Sequence, residues 1–280
     1  MVLIDGKKVS GQIRNRLAEE VQELKKKTGK SPGLATVLVG DDPASAVYVR
    51  NKNKICGELG FKSFEHKLTA DTSEEKLLQL VGKLNSNKDI HGILVQLPLP
   101  DQIDSEKILQ AIDPKKDVDG FHPVNVGKLV VGNALLTPCT PTGIIELLDH
   151  YDIEISGKHA VIIGRSNIVG KPVSMLLLQR NATITICHSR TQDLEEVTRS
   201  ADIIVAAVGR ANFVTEEMVS EGTVVIDVGI NRVDGKLTGD VDFEPVSKKA
   251  SHITPVPGGV GPMTIALLME NTLKAFKEPL

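Results

Sequence analysis

Several absences narrow what this chain can do before any motif is read. Basic residues are not in excess. The 33 Lys and Arg against 36 Asp and Glu leave a formal net charge of -3, so nothing tracks a phosphate backbone and a nucleic-acid partner is not expected. Cysteine is scarce: Cys56, Cys139 and Cys187 are odd in number and far apart, without the close pairing of metal or redox motifs. A reducing compartment is the natural reading. No stretch of about 18 uninterrupted apolar residues occurs, so no membrane span is expected and a cytoplasmic location follows. The seven histidines are scattered, none pairs with another at ligand spacing, and no metal is expected. Internal repeats and low-complexity segments are missing as well.

What remains has the make-up of an ordinary globular protein, with 41% apolar and 25% charged residues. A chain of 280 residues exceeds one compact core of about 100 to 200 residues, which favours two domains. Val9, Ile13, Leu17, Val21 and Leu24 recur at helical spacing up to Thr28 and Gly29. A β-branched strand follows at 34–40, then a helix begun by Asp42 and Pro43. An alternating segment (61–68), a helix (73–85) and a buried strand (90–97) complete the series. Strands alternating with helices predict a parallel βαβ architecture. Residues 98–141 are rich in proline and loop signals, and the domain boundary is placed near their end. A second series has near-continuous apolar strands at 159–164, 182–187, 202–206 and 223–227, as in parallel sheets covered on both faces. The fold class expected is therefore α/β, with two domains. An N-terminal catalytic domain covers residues 1–138 and a Rossmann-type nucleotide domain covers 139–263; the C-terminal helix (264–280) is assigned to the first, although its apolar pattern fits closure of either domain.

The second domain opens on Gly164-Arg-Ser-Asn-Ile-Val-Gly170, after a strand and at the mouth of a helix. The dinucleotide fingerprint G-x-G-x-x-G is met imperfectly: Ser166 takes the second glycine position and the last glycine comes one residue late. Small residues there still let the backbone approach a pyrophosphate, although a tight turn without a ligand has the same letters. The next strand ends Cys187-His-Ser-Arg190, where an NAD-binding unit usually carries Asp or Glu for the ribose hydroxyls. Arg165, Ser189 and Arg190 offer two guanidinium groups and a hydroxyl instead, the donors a 2′-phosphate needs. NADP is therefore predicted over NAD. For Arg190 alone, a solvated turn residue is the competing reading.

In the first domain Tyr48, Lys52, Ile55 and Leu59 share one line of a helix, which puts Lys52 on the apolar face. Two readings fit: a lysine snorkelling to the edge of an ordinary core, or one whose partial burial lowers its pKa and lets it exchange protons. Gln96 ends a buried strand, the usual place for ligands in parallel sheets, and Asp117 and Asp119 lie in the following loop. Taken singly, Gln96 also reads as a strand-end cap and the aspartates as turn residues. Thr254-Pro-Val-Pro-Gly-Gly-Val-Gly-Pro-Met-Thr264 is a stiff loop whose glycines let the backbone approach a flat ligand.

Six segments in order resemble the bifunctional methylenetetrahydrofolate dehydrogenase/methenyltetrahydrofolate cyclohydrolase family, the bacterial FolD type, over essentially the whole chain. They are Tyr48-Val-Arg-Asn-Lys52, Gly92-Ile-Leu-Val-Gln-Leu-Pro-Leu-Pro100, Lys116-Asp-Val-Asp-Gly-Phe121, Thr137-Pro-Cys-Thr-Pro141, Gly164-Arg-Ser-Asn-Ile-Val-Gly170 and Pro255-Val-Pro-Gly-Gly-Val-Gly-Pro262. The resemblance implies two consecutive reactions in a cleft between the domains: NADP-dependent oxidation of 5,10-methylenetetrahydrofolate to the methenyl cation, then hydrolysis to 10-formyltetrahydrofolate. It implies Lys52 as acid/base of the hydrolysis, Tyr48 stacking on the folate, Gln96 bonding near Lys52, and Asp119 holding the pterin. It also implies that Gly164, Arg165, Ser166, Ser189 and Ile230 touch NADP, that Pro257 and Gly258 line the folate site, and that the protein is a homodimer. Two rivals stand beside it: an NADP-dependent dehydrogenase of a small carboxylic acid, of the shikimate or amino-acid type, and a redox-sensing protein that holds NADP without turnover.

Overall fold

Residues 1–278 are described in a computed structural model, and the last two residues of the helix expected at 264–280 lie outside them. In chain order come β1 (Val2–Leu3), α1 (Gly6–Thr28), β2 (Gly33–Val39), α2 (Pro43–Glu58), β3 (Lys62–Leu68), α3 (Glu74–Ser86) and β4 (Gly92–Val95). Then follow α4 (Ser105–Ala111), α5 (Pro123–Val130), α6 (Cys139–His150), β5 (His159–Ile163), α7 (Gly170–Gln179), β6 (Thr183–Cys187), α8 (Leu194–Arg199) and β7 (Ile203–Ala206). The chain finishes with β8 (Val224–Asp227), β9 (Asn231–Val233), β10 (Lys236–Thr238), α9 (Phe243–Lys249), β11 (His252–Ile253) and α10 (Val260–Lys277).

These elements form two compact units: residues 12–137 with 268–280, and residues 1–11 with 138–267. In the first, β3, β2 and β4 lie side by side and all parallel. Every residue of β2 is buried, which explains its unbroken apolar run. Leu77, Val81 and Leu84 of α3 join Val37, Ile93 and Val95 in one core. Each such side chain contributes roughly 1.5–3 kcal/mol by leaving water. Ser73 starts α3 by accepting the Lys76 N–H, and buried Lys116 closes its other end, donating to the carbonyls of Asn85 (2.7 Å) and Asn87 (2.8 Å). Burial pushes the Lys116 pKa down, against the pull of Asp113.

The second unit has a six-stranded, wholly parallel sheet in the order β1-β11-β8-β7-β5-β6. Patterning at the N-terminus put all of residues 1–138 in the first domain. Instead Val2 and Leu3 pair with His252 and Ile253, a long-range contact with no local signature. Val2–Leu3, the β9–β10 hairpin, α5 and α6 are too short or too irregular in pattern to announce themselves. Helix α10 is shared between the units, and side chains show why. Thr264 bonds Thr140 (2.9 Å) on one side of the division, whereas Asn271 donates to the carbonyls of Val118 (2.9 Å) and Thr137 (2.8 Å) on the other.

His91 is a titratable element of the first core. It is buried, stands edge-on to Phe276 with 4.8 Å between ring centroids, and its Nδ1 accepts the Gly33 N–H at 3.1 Å. That bond requires the neutral ring, and burial, helped by Lys116, lowers the His91 pKa below 6.5. In the window below the ordinary histidine value the unfolded chain takes up a proton that the folded one refuses. Stability is therefore full above about pH 6.5 and falls as the pH drops further, by at most about 1.4 kcal/mol per pH unit. In thermal melts between pH 7.5 and 5.5, His91→Asn keeps an acceptor but should lose part of this slope. An unchanged slope would assign the acid sensitivity elsewhere.

Candidate active site

The first cluster is built on α2. Asp42 caps the helix by accepting the Ser45 N–H at 2.7 Å, and Pro43 occupies its first turn. The buried stripe runs Val49, Lys52, Cys56 and Leu59. It lies one residue round from the line Tyr48, Lys52, Ile55, Leu59 drawn on the sequence, so Tyr48 is left 42% exposed. Lys52 is 9% exposed, and its Nζ donates to Gln96 Oε1 at 3.1 Å. Gln96 follows β4 and extends its ladder through a backbone N–H to Val37 O (2.9 Å). Its side-chain amide donates to the carbonyl of Leu97 (2.7 Å), which turns Oε1 towards the lysine.

Beside β4 runs the segment from Lys116 to Asp119, tied to it by Ile93 N–H to Lys116 O (2.8 Å) and a parallel bridge between Ile93 and Asp117. The two aspartates there differ in kind. Asp117 accepts from the backbone of His122 (2.8 Å) and Phe121 (3.3 Å) and from Asn125 Nδ2 (2.9 Å), so it folds the loop. Asp119 interacts electrostatically with Lys52, and desolvation raises its carboxyl to about 6 despite that attraction, with Asp117 adding to the rise. Lys52, Gln96 and Asp119 thus converge, and Tyr48 stands one turn before Lys52 on α2.

The second cluster lies at the carboxyl edge of the six-stranded sheet, where ligands bind in parallel α/β folds. A cavity of about 560 Å³ is lined by residues that include Gly164, Arg165, Ser166, Ser189, Val208 and Arg210. Gly164 sits at φ +127°, and a Cβ there would come within 2.2 Å of Ala207 O, so only glycine permits the turn. Ser166 fills the place of the second glycine for a reason: its Oγ accepts the N–H groups of Val169 and Gly170, both at 3.2 Å, at the entry to α7. After β6, His188 N–H to Thr191 Oγ1 (2.9 Å) and Arg190 N–H to His188 Nδ1 (3.1 Å) set the turn that presents Ser189. Among the described residues no carboxylate lines the cavity, whereas Arg165 and Arg210 do.

Arg190 and Ile230 are not among the lining residues; Ile230 is 49% exposed, against Gly261. His188, Thr191, Leu194, Arg210 and Phe213 do line the cavity and were missed. Arg210 lies over the Phe213 ring at 4.9 Å. Only their position after β6 and β7 could have signalled them. Pro257 and Gly258 occupy the loop before α10; Pro257 is exposed, and Gly258 accepts the Lys7 N–H at 3.1 Å. Among the described residues no three His, Cys, Asp or Glu side chains are grouped to hold a metal, and no helix is long and apolar enough to cross a membrane.

A nucleotide-sized cavity at a Rossmann-type sheet edge and a buried lysine in a separate α/β unit define the class: a two-unit, dinucleotide-dependent enzyme. Comparison with known proteins then narrows the class. The chain belongs to the tetrahydrofolate dehydrogenase/cyclohydrolase family, matching the catalytic-domain model over residues 4–119 and the NAD(P)-binding-domain model over 138–280. It is 57% identical over 277 residues to the bifunctional protein FolD of Halalkalibacterium halodurans, covering 99% of both chains. Its structure is similar to FolD from Campylobacter jejuni (TM-score 0.96, 53% identity, 99% of each chain). It is similar also to the Trypanosoma brucei FolD complexed with NADP and an inhibitor (TM-score 0.95, 42% identity, 99% and 97% covered). Shikimate dehydrogenase from Aquifex aeolicus, at 13% identity and TM-score 0.52 over 88% and 91% of the chains, shares the fold alone.

Proposed function

We propose that this chain oxidises 5,10-methylenetetrahydrofolate with NADP and hydrolyses the resulting 5,10-methenyl cation to 10-formyltetrahydrofolate. The observation that carries this reading is Lys52, buried and held on Gln96 at 3.1 Å, within a chain whose family unites the two activities. The domain carrying Lys52 is the folate unit, and the Rossmann-type domain is the NADP unit.

Tyr48 presents its exposed ring to the flat folate, and Asp119 accepts from the donor edge of the pterin. Pro257 and Gly258 belong to the same proposal as folate-binding residues. Hydride loss from the methylene carbon asks mainly for positioning, because the flanking folate nitrogens stabilise the cation that forms. NADP, when bound, supplies the hydride acceptor. Gly164, Ser166 and the α7 N-terminus fit its pyrophosphate, and Arg165 and Ser189, with Arg190 nearby in sequence, fit a 2′-phosphate. Ile230 faces the nicotinamide end. Hydrolysis needs a proton acceptor for the attacking water. Lys52 accepts that proton as the C–O bond forms, and Gln96 Oε1 holds the resulting ammonium; the proton then passes to N5 as the C–N5 bond breaks, the hydroxyl proton leaves to solvent, and the formyl group stays on N10. The small-acid dehydrogenase reading gains nothing from a likeness of fold alone.

One assay tests the whole: with methylenetetrahydrofolate and NADP, NADPH, methenyl and formyl products are followed together. All three should rise, and the Michaelis constant for NADP should lie about tenfold or more below that for NAD, the worth of one charge-assisted contact. A clear NAD preference would remove the 2′-phosphate assignment; no NADPH with any folate would favour a non-catalytic NADP-binding protein. Homodimerisation through the nucleotide unit belongs to the same proposal, supported by Val233 and Leu237, 42% and 41% exposed on the β9–β10 hairpin. A monomer mass in sedimentation equilibrium would count against it.

A further inference from the structure

The nucleotide unit contains two buried carboxylates that the chemistry above does not use. Asp240 is 0% and Asp227 3% exposed. Asp240 Oδ2 accepts the backbone N–H groups of Val208 (2.7 Å) and Gly209 (2.9 Å). Its Oδ1 accepts the N–H of Arg210 (2.9 Å) and the side-chain amide of Asn231 (2.9 Å). Three successive amides converging on one point form an anion-binding concavity, here occupied by the protein's own side chain. Asp227 extends the arrangement: its Oδ1 accepts from Gly229 N and Asp240 N, both at 2.9 Å, and its Oδ2 from Val241 N at 3.0 Å. The fit leaves no spare room. A Cβ on Gly229 would lie 2.2 Å from Asp240 Oδ1.

The loops joined in this way are those that face the nucleotide. Residues 208–210 follow β7 and contribute Val208 and Arg210 to the cavity wall. Residues 228–231 follow β8 and carry Ile230. Apart from Asp240, a backbone bond from Val228 N–H to Ala206 O (2.9 Å) ties the second loop to β7. We propose that Asp240 is a positioning residue for the dinucleotide: its carboxylate cross-braces the two loops so that the cavity wall and the nicotinamide-side segment stand in place before the ligand arrives. The inference rests on the reading of the cavity as the NADP site. Its physical basis is preorganisation, since a wall already ordered spends no binding energy on ordering.

Charge state matters here as well as shape. Four donors and no acceptor face the Asp240 oxygens, so an amide of the same size turns its NH₂ onto a donor in either orientation. Asp240→Asn should therefore raise the Michaelis constant for NADP about tenfold or more, with weaker NADPH binding by fluorescence titration. Hydrolysis of methenyltetrahydrofolate, measured without nucleotide, should keep its kcat. A merely structural role predicts the opposite split: both activities fall in the same proportion as the folded fraction, and the NADP constant stays put. That result would overturn the proposal. If Asp240→Asn does not fold, Asn231→Ala decides, since it removes one of the four donors. It should raise the NADP constant by a smaller factor, and an unchanged constant would overturn the proposal. Should the wild-type protein reduce no NADP, the catalytic reading fails and NADPH titration decides: weaker binding in Asp240→Asn supports the proposal, equal binding overturns it, and no binding by the wild type overturns the reading of the cavity as the NADP site.

Discussion

Lys52→Met is expected to lower methenyltetrahydrofolate hydrolysis by about 10²–10⁴-fold, the range supplied by a positioned acid or base, while leaving NADP binding unchanged. Methionine keeps the length and apolar stem that α2 buries between Val49 and Cys56, so the helix face stays filled. What disappears is the exchangeable proton and the donor to Gln96 Oε1. Leaving that oxygen unpaired costs about 1–3 kcal/mol, which a folded domain tolerates. The part of the chain that matches the NAD(P)-binding-domain model begins at residue 138, in the other compact unit from Lys52, so the nucleotide affinity serves as an internal control. The measurement is the decay of methenyl absorbance, with calorimetric titration of NADP in parallel. Hydrolysis at the wild-type rate would end the assignment of Lys52.

Asp119→Asn should act on the folate side of both reactions and show itself through pH. The carboxyl of Asp119 titrates at about 6, because desolvation raises it more than Lys52 lowers it. If the carboxylate is the form that receives the pterin donors, kcat/KM for both folates is level above that value and falls up to tenfold per pH unit below it. Asn at this position accepts at one atom only, so kcat/KM at pH 8 should drop about tenfold or more and the acid limb near pH 6 should vanish. A limb that persists in the variant would belong to another group.

Stability should move the other way. A carboxyl whose folded pKa is raised contributes stability below its unfolded value, near 3.8, and that contribution is lost as the pH rises through about 6. At pH 8 the folded protein therefore holds an ionised group in an unfavourable place. Asp119→Asn relieves it, and the melting temperature at pH 8 should rise while activity falls. A lower melting temperature would mean that Asp119, like Asp117, is a structural residue.

That contrast marks where sequence reading stops. Lys116, Asp117 and Asp119 form one run of charged residues with the same local signals. Only the fold separates them: Lys116 closes α3, Asp117 folds its own loop, and Asp119 is desolvated beside Lys52. The same limit applies at the cavity of the second unit, where the turn at Gly164 and Ser166 was legible and Arg210 and Phe213 were not. The former sit in a turn whose geometry is set by immediate neighbours. The latter reach the cavity because β7 lies next to β5 in the sheet.

By itself the sequence determined the alternation of parallel strands and helices, the inward lysine of α2, and the missing acidic residue after β6. Each depends on a period or a position inside one element. Tertiary structure decided the rest: the pairing of Val2–Leu3 with His252–Ile253, the division of α10 between units, and which of two like carboxylates is tied up by its own loop and which stands by Lys52. Those outcomes depend on distances between segments remote in the chain, and on the desolvation that follows from them, which no local pattern encodes.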